Sequence, residues 1–146
     1  MKIEDKALVT VRVVIGWLFF YAGYSKLTNP DWSAAGYLQG AETFNGFYAW
    51  LASDGMIGIT NFLNAWGLTL IGIALILGLF TRLTAFLGAT MMILYWFPAL
   101  TFPTVEHGFL VDDHIIYAAV LVYLGLVRAG RIGGLDAKYR LKNWLG

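Results

Sequence analysis

The sequence predicts an all-α membrane protein, a bundle of four transmembrane helices. Hydrophobic residues make up 59% of the 146-residue chain and charged residues only 13%, which is about half the charged share of a typical soluble domain. A soluble fold of this size could not bury so much apolar surface, whereas a fold in contact with lipid need not bury it. The length fits one four-span domain over residues 1–146, with no separate soluble domain.

The first span is predicted at residues 7–27, with Arg12 towards one end and Lys26 at the other. At about 1.5 Å per helical residue, this stretch crosses a hydrocarbon core of about 30 Å. Both charged side chains can reach the head groups by snorkelling. Gly16 and Gly23 lie on one face of this helix, which predicts a close approach to another helix.

Three further apolar stretches complete the predicted bundle. They span about residues 59–80, 83–100 and 112–127. The very short connection between the second and third spans predicts an antiparallel hairpin.

The segments outside the spans also have recognisable patterns. Residues 33–53 carry apolar side chains at helical spacing and several aromatic residues, which predicts one or two amphipathic helices on the outer membrane surface or an ordered aromatic-rich loop. Residues 101–111 are predicted to connect the third and fourth spans. Residues 128–146 are basic and predict a short surface helix at the C-terminus.

The basic residues indicate the orientation of the bundle. If the four spans alternate in direction, nine of the ten lysine and arginine residues fall on one side of the membrane, and Lys26 alone falls on the other. The positive-inside rule then places both termini in the cytoplasm.

The composition excludes several kinds of chemistry. The chain has no cysteine, which excludes disulfide exchange, a thiolate nucleophile, an iron–sulfur cluster and a cysteine-bound zinc. Its two histidines lie on one side of the membrane, which disfavours bis-histidine haem ligation, and no flavin motif is present. A net charge of +1 without a basic patch gives no indication of nucleic acid as a partner.

The predicted topology brings four ionisable residues to a similar depth near the outer surface: Lys26, Asp112, Asp113 and His114. Ionisable groups are costly at this depth and suggest function. His114, Asp113 and Asp112 are therefore candidate catalytic residues that exchange protons, and Lys26 is a candidate ligand for an anion. In the structural alternative, an aspartate caps the fourth span, and Lys26 snorkels or pairs with a carboxylate. The residues lack a recognised ligand spacing, so no metal site is predicted.

Aromatic residues crowd the outer halves of the spans. Tyr24, Trp96 and Tyr117 offer a stacking surface for a flat, lipid-soluble ring such as a quinone, and are candidate substrate-binding residues. The alternative is that they fill the bundle and line the membrane interface.

Three segments resemble the DoxX/DoxD family of small four-span membrane proteins. The first has Arg12, Gly16, Gly23 and the pair Lys26-Leu27, the second runs from Gly72 through Gly78-Leu79-Phe80-Thr81-Arg82-Leu83, and the third is Gly130-Arg131-Ile132-Gly133-Gly134-Leu135-Asp136-Ala137. Because Arg12 and Arg82 match motif positions, they join the candidate substrate-binding residues, although membrane anchoring also explains each of them.

The resemblance implies a four-helix bundle in the cytoplasmic membrane, and DoxD-type members are subunits of thiosulfate:quinone oxidoreductase. We therefore expect the membrane subunit of a quinone-linked redox system, with quinone as a substrate and a quinone or small anion bound near the outer ends of spans one and four. Its partners would be the lipid bilayer and other membrane or periplasmic/extracellular subunits, or further copies of the chain. The alternative is a non-catalytic membrane anchor or assembly subunit of a larger complex.

Overall fold

The computed structural model describes residues 1–105 and 108–139. In chain order its elements are α1 (Ile3–Leu27), α2 (Ala35–Gln39), α3 (Asn45–Leu51), α4 (Ile57–Leu77), α5 (Thr81–Ala99), β1 (Leu100–Thr101), β2 (Thr104–Val105), β3 (Gly108–Phe109), α6 (Asp113–Leu126), a 3₁₀ turn (Ala129–Arg131) and α7 (Leu135–Tyr139). The end of the bundle that carries Lys26 is called the outer end, and the opposite one the inner end, after the predicted orientation.

Each predicted span coincides with one long helix, α1, α4, α5 or α6, although the ends differ. Helix α1 begins four residues earlier than predicted, because the Asp5 carboxylate accepts the Lys2 backbone N–H at 2.9 Å and closes a polar first turn. Helix α4 ends three residues earlier, because Gly78 adopts a left-handed φ of 64°. Thr81 was predicted to lie in the turn but is the first residue of α5.

Two helices in the described part of the chain, α1 and α4, are long and apolar enough to cross a membrane. Helix α6 is apolar but has only 14 residues. That α5 and α6 also span the bilayer stays a prediction, as does the orientation of the termini.

Helix α1 packs along α4 with backbone against backbone. A Cβ atom added to Gly16 would lie 2.9 Å from the Ile76 nitrogen, and one added to Gly72 would lie 2.6 Å from the Phe20 Cα. Gly23 leaves no room for a Cβ either, because the Ala65 carbonyl oxygen would be 2.8 Å away. The predicted close approach at Gly16 and Gly23 is therefore confirmed, and its partner is α4.

Helices α5 and α6 form a second pair, in which Gly88 and Gly125 face side chains of the partner helix. The two pairs meet through apolar side chains, which form the main core: Ile15, Phe19, Leu68, Ile71, Leu75, Ala85, Ala89, Met92, Ala118, Leu121, Leu124 and Ala129. Contact between α4 and α5 is less extensive than contact within either pair, although the two helices are consecutive.

The predicted amphipathic segment forms two short helices, α2 and α3, which cover the outer ends of α4 and α5. Pro98 has no N–H group, so the carbonyl of Leu94, four residues earlier, lacks its usual helical donor. The buried Tyr48 hydroxyl donates to this carbonyl at 2.9 Å. Burial raises the pKa of Tyr48, which favours the protonated, donating form. The same segment is also joined to α4, because the Asn61 amide oxygen accepts the Ala34 N–H at 2.9 Å.

The predicted connection at residues 101–111 has regular structure of its own. The described part of this segment forms a small antiparallel sheet in the order β1-β2-β3, in which Val105 pairs with Leu100 and with Gly108. The inward-facing Leu100 and Val105 are buried, which gives so short a sheet an apolar face. Glu106 and His107 lie outside the described residues. So do residues 140–146, so the predicted C-terminal helix is described only as the five residues of α7.

Gly72→Ala is expected to destabilise the bundle, because the new Cβ would push α1 and α4 apart. Overpacking of this kind costs about 1–3 kcal/mol. The matched control is Gly58→Ala in the same helix, where a Cβ meets nothing within 4 Å and where alanine favours the helix. Thermal unfolding in detergent measures both variants, and equal melting temperatures would contradict the described packing.

Candidate functional site

A cavity lies between the two helix pairs at the outer end of the bundle. Its volume is about 200 Å³, and its polar lining comes from Lys26, Tyr95, His114 and Tyr117. The remaining lining is apolar and comes from α1, α4 and α5: Leu18, Phe19, Ala22, Leu68 and Met92. Of the residues proposed from sequence, the structure thus brings Lys26, His114 and Tyr117 to one cavity.

Asp112 holds the His114 ring at the start of α6. Its Oδ1 accepts the Ile115 backbone N–H at 3.2 Å and caps the helix, while its Oδ2 lies 2.8 Å from His114 Nδ1. The Asp112 side chain is 9% exposed and that of His114 is 25% exposed. The capping role and the functional role proposed from sequence are therefore compatible, because the two carboxylate oxygens serve different partners.

Asp113 differs from Asp112 in its surroundings. Its side chain is 64% exposed, with one oxygen 3.5 Å from His114 Nδ1, and it does not line the cavity. Asp112, Asp113 and His114 each offer one ligand atom within 4.8 Å of the others. Because carboxylates gather at helix N-termini for capping alone, we assign no metal to this cluster.

Lys26 enters the cavity from the last turn of α1. Its Nζ donates to the Ala22 carbonyl at 3.3 Å and lies 5.2 Å from the centroid of the Trp32 ring. Among the described residues it forms no ion pair, so the carboxylate pairing considered from sequence is not seen. The cation is positioned by a backbone carbonyl and an aromatic face.

Tyr95 is a cavity residue that the sequence analysis did not select. The edge of its ring faces His114, with the ring centroids 5.9 Å apart, and its hydroxyl donates to the Asn64 amide oxygen. Asn64 was also missed, although an amide within an apolar span is a polar group that needs a partner. That signal could have identified Asn64 but not Tyr95.

Two of the proposed aromatic residues lie elsewhere. Tyr24 is on the exposed face of α1, stacked on Phe20 with centroids 5.9 Å apart. The Trp96 indole donates to the Leu110 carbonyl at 3.0 Å, which joins α5 to the chain after β3. Neither residue lines the outer cavity.

Arg12 is buried at the inner end of the bundle. Its Nη1 donates to the carbonyls of Ala129 at 2.6 Å and Ile132 at 3.0 Å, and its Nη2 donates to that of Gly133 at 3.2 Å. The residue is 1% exposed. A planar guanidinium suits several carbonyls at once, so Arg12 fastens the segment after α6 to α1, far from the outer cavity.

Asp136 supports the same end from α7. Its two carboxylate oxygens accept the backbone N–H groups of Phe80 at 2.7 Å and Thr81 at 2.9 Å, which caps α5, and its own N–H donates to the Gly78 carbonyl at 2.9 Å. Arg82, the other inner candidate, is half-buried in the first turn of α5. One part of each of the three segments that resemble the known family thus meets here: Arg12 of the first, Gly78 to Thr81 of the second and Gly130 to Asp136 of the third.

The comparisons with known proteins identify one family. A model of the DoxX family matches residues 7–101, which is more than half of the chain and covers α1 to β1. No curated protein and no solved structure matches the chain.

Asp136→Asn is expected to destabilise the protein, because an amide has one acceptor oxygen where the carboxylate uses two. The variant leaves the N–H of Phe80 or Thr81 without its acceptor and removes the negative charge near Arg12. A buried, charge-assisted hydrogen bond is worth about 1.5–3 kcal/mol. Thermal unfolding in detergent is the measurement, with the exposed Asp31→Asn as the control. Equal stability of the two variants would contradict the capping role.

Proposed function

Because the chain belongs to the DoxX family of membrane proteins, we propose that it is the membrane subunit of a quinone-linked redox system, similar to thiosulfate:quinone oxidoreductase. The observation that carries the proposal is the outer cavity, which combines a cation, Lys26, with a carboxylate-held imidazole, His114. Reduction of a quinone to a quinol takes up two electrons and two protons, so a subunit that handles quinone needs a proton-exchanging group near it.

In this proposal, His114 transfers protons and Asp112 orients its ring, as a carboxylate does in other carboxylate–histidine pairs. Lys26 attracts a small anion into the cavity. Its volume of about 200 Å³ is below the range of about 300–1,000 Å³ that is usual for larger organic ligands, so the cavity suits the small anion better than a whole quinone. Oxidative coupling of two thiosulfate anions would release the two electrons that the quinone accepts.

The alternative function is a non-catalytic anchor or assembly subunit. It is supported by the small sheet at the outer end, where Phe102 in the β1–β2 turn is 77% exposed and Phe109 in β3 is 68% exposed. Two exposed large aromatic side chains in this region form an apolar surface suited to a partner protein or the membrane interface.

The two functions predict different sensitive residues. If the cavity handles protons, His114→Gln should lower the kcat of thiosulfate-dependent quinol formation at least about 100-fold, the usual size of a general acid–base contribution. Asp112→Asn should lower it less, because the ring loses its orienting partner but not its ability to accept protons. The activity is measured in membranes with decylubiquinone as acceptor and with all co-purifying subunits retained.

The control for this experiment is Asp54→Asn, an exposed carboxylate outside the cavity. Unchanged turnover in His114→Gln would overturn the proton-transfer role. Loss of the assembled complex in Phe102→Ser and Phe109→Ser, with normal turnover in His114→Gln, would instead favour the assembly subunit.

A further inference from the structure

A second, larger space lies between α4 and α5. It is a groove of about 740 Å³ that runs from Met56 near the start of α4 to Phe80 at the start of α5. It exists because each of these helices packs mainly on another partner, α4 on α1 and α5 on α6. Its volume lies within the range of about 300–1,000 Å³ of ligand sites.

The groove is apolar along its length. The side chains of Leu38, Tyr48 and Leu51 from the α2–α3 segment line its outer end. Its length from Asn64 to Leu77 is about 20 Å at the helical rise. None of the described residues that line the groove is charged. An elongated hydrocarbon chain therefore fits along it, but a charged lipid head group would find no counter-ion in it.

The polar groups of the groove are nearly all satisfied within the protein. The hydroxyls of Thr60, Thr84 and Thr90 donate to backbone carbonyls, as does that of Tyr48. Asn64 is the exception. Its Oδ1 accepts from Tyr95, while its Nδ2 forms no hydrogen bond with a described residue. An amide donor without a partner in an apolar groove is suited to a carbonyl oxygen of a ligand.

Tyr95 lines both spaces and separates them. Its ring faces His114 in the outer cavity, and its hydroxyl holds Asn64 in the groove. A head group bound at Asn64 would therefore lie against the opposite side of the tyrosine from the candidate proton-exchanging pair.

We propose that the α4–α5 groove binds a neutral isoprenoid quinone, with a ring carbonyl accepting a hydrogen bond from Asn64 Nδ2 and the hydrocarbon tail lying between the helices towards Phe80. This inference rests on the proposed quinone-linked function and names the quinone site, which differs from the outer cavity. Three properties select this ligand class: an apolar groove of ligand size, a single unpaired donor and the absence of charge from the lining.

The test is binding of decylubiquinone to the purified full chain in dodecyl maltoside, with Kd taken from quenching of tryptophan fluorescence. Asn64→Leu removes the donor at similar volume and should weaken binding about tenfold, the effect expected for one hydrogen bond in an apolar site. Gly67→Phe adds a ring that projects into the groove, where a Cβ would lie 3.5 Å from the Met91 sulfur, and should weaken binding at least as much.

Two controls separate this inference from the proposed function. Val14→Phe adds the same ring on the exposed face of α1, and Asp54→Asn changes an exposed carboxylate that lines neither space, so both should bind decylubiquinone as the unmodified chain does. Thermal unfolding verifies that each variant is folded. If folded Asn64→Leu and Gly67→Phe bind like the unmodified chain, the groove is not the quinone site, although the quinone-linked function stands.

Two other outcomes are equally decisive. If the unmodified chain does not bind decylubiquinone, both the groove site and the quinone-linked function are overturned. If an equimolar amount of phosphatidylglycerol displaces decylubiquinone, the groove is a phospholipid site, and the argument from the uncharged lining is wrong.

Discussion

The backbone contact between α1 and α4 is the constraint on which the rest of the structure depends. Gly16, Gly23 and Gly72 leave no space for a Cβ, so these two helices approach more closely than side chains would allow. Helices α5 and α6 form the other pair, with Gly88 and Gly125 against partner side chains. The boundary between the pairs is filled by side chains instead of close backbone contacts, and this packing leaves open spaces. Both the outer cavity and the α4–α5 groove lie at this boundary, so the tight contacts determine where space for ligands remains.

The inner and outer ends of the bundle are held by different means. At the inner end, a buried arginine and a buried aspartate bond to backbone groups of segments distant in sequence, so that Arg12 binds the turn after α6 and Asp136 caps α5. A buried charge is tolerated only when it has several partners, which explains why these side chains are fully enclosed. At the outer end, neutral hydroxyl and amide groups form the hydrogen bonds that hold the segments together. Tyr48, for example, donates to the carbonyl that Pro98 leaves without a donor. The ionisable groups of the outer end, Lys26, Asp112 and His114, are less fully enclosed than Arg12 and Asp136.

Candidate residues proposed from sequence fall into two groups that the structure separates. Lys26, His114 and Tyr117 share the outer cavity, whereas Arg12 and Arg82 lie at the inner end and Tyr24 and Trp96 face away from the cavity. Depth in the membrane follows from position along a span, so the sequence could bring the first group to one level. Depth does not specify which side of a helix faces the neighbouring helix. Depth along the spans was therefore enough to bring Lys26 and His114 to one level, but it could not show that Asp113, Tyr24 and Trp96 lie outside the cavity.

The sequence by itself determined the four long helices, the glycine contact face of α1 and the family, but it left the segment after α1 open between short helices and an ordered loop. These features depend on local composition and on periodicity along the chain. Only the tertiary structure decided that α4 pairs with α1 rather than with the adjacent α5, that residues around Val105 form a sheet, and that Tyr95 with Asn64 divides a cavity from a groove. Each of these depends on contacts between residues far apart in sequence, and their geometry is set by which side chains fit together across the bundle. The buried Arg12 illustrates the difference, because its sequence position suggests a membrane anchor, whereas its partners are more than a hundred residues away.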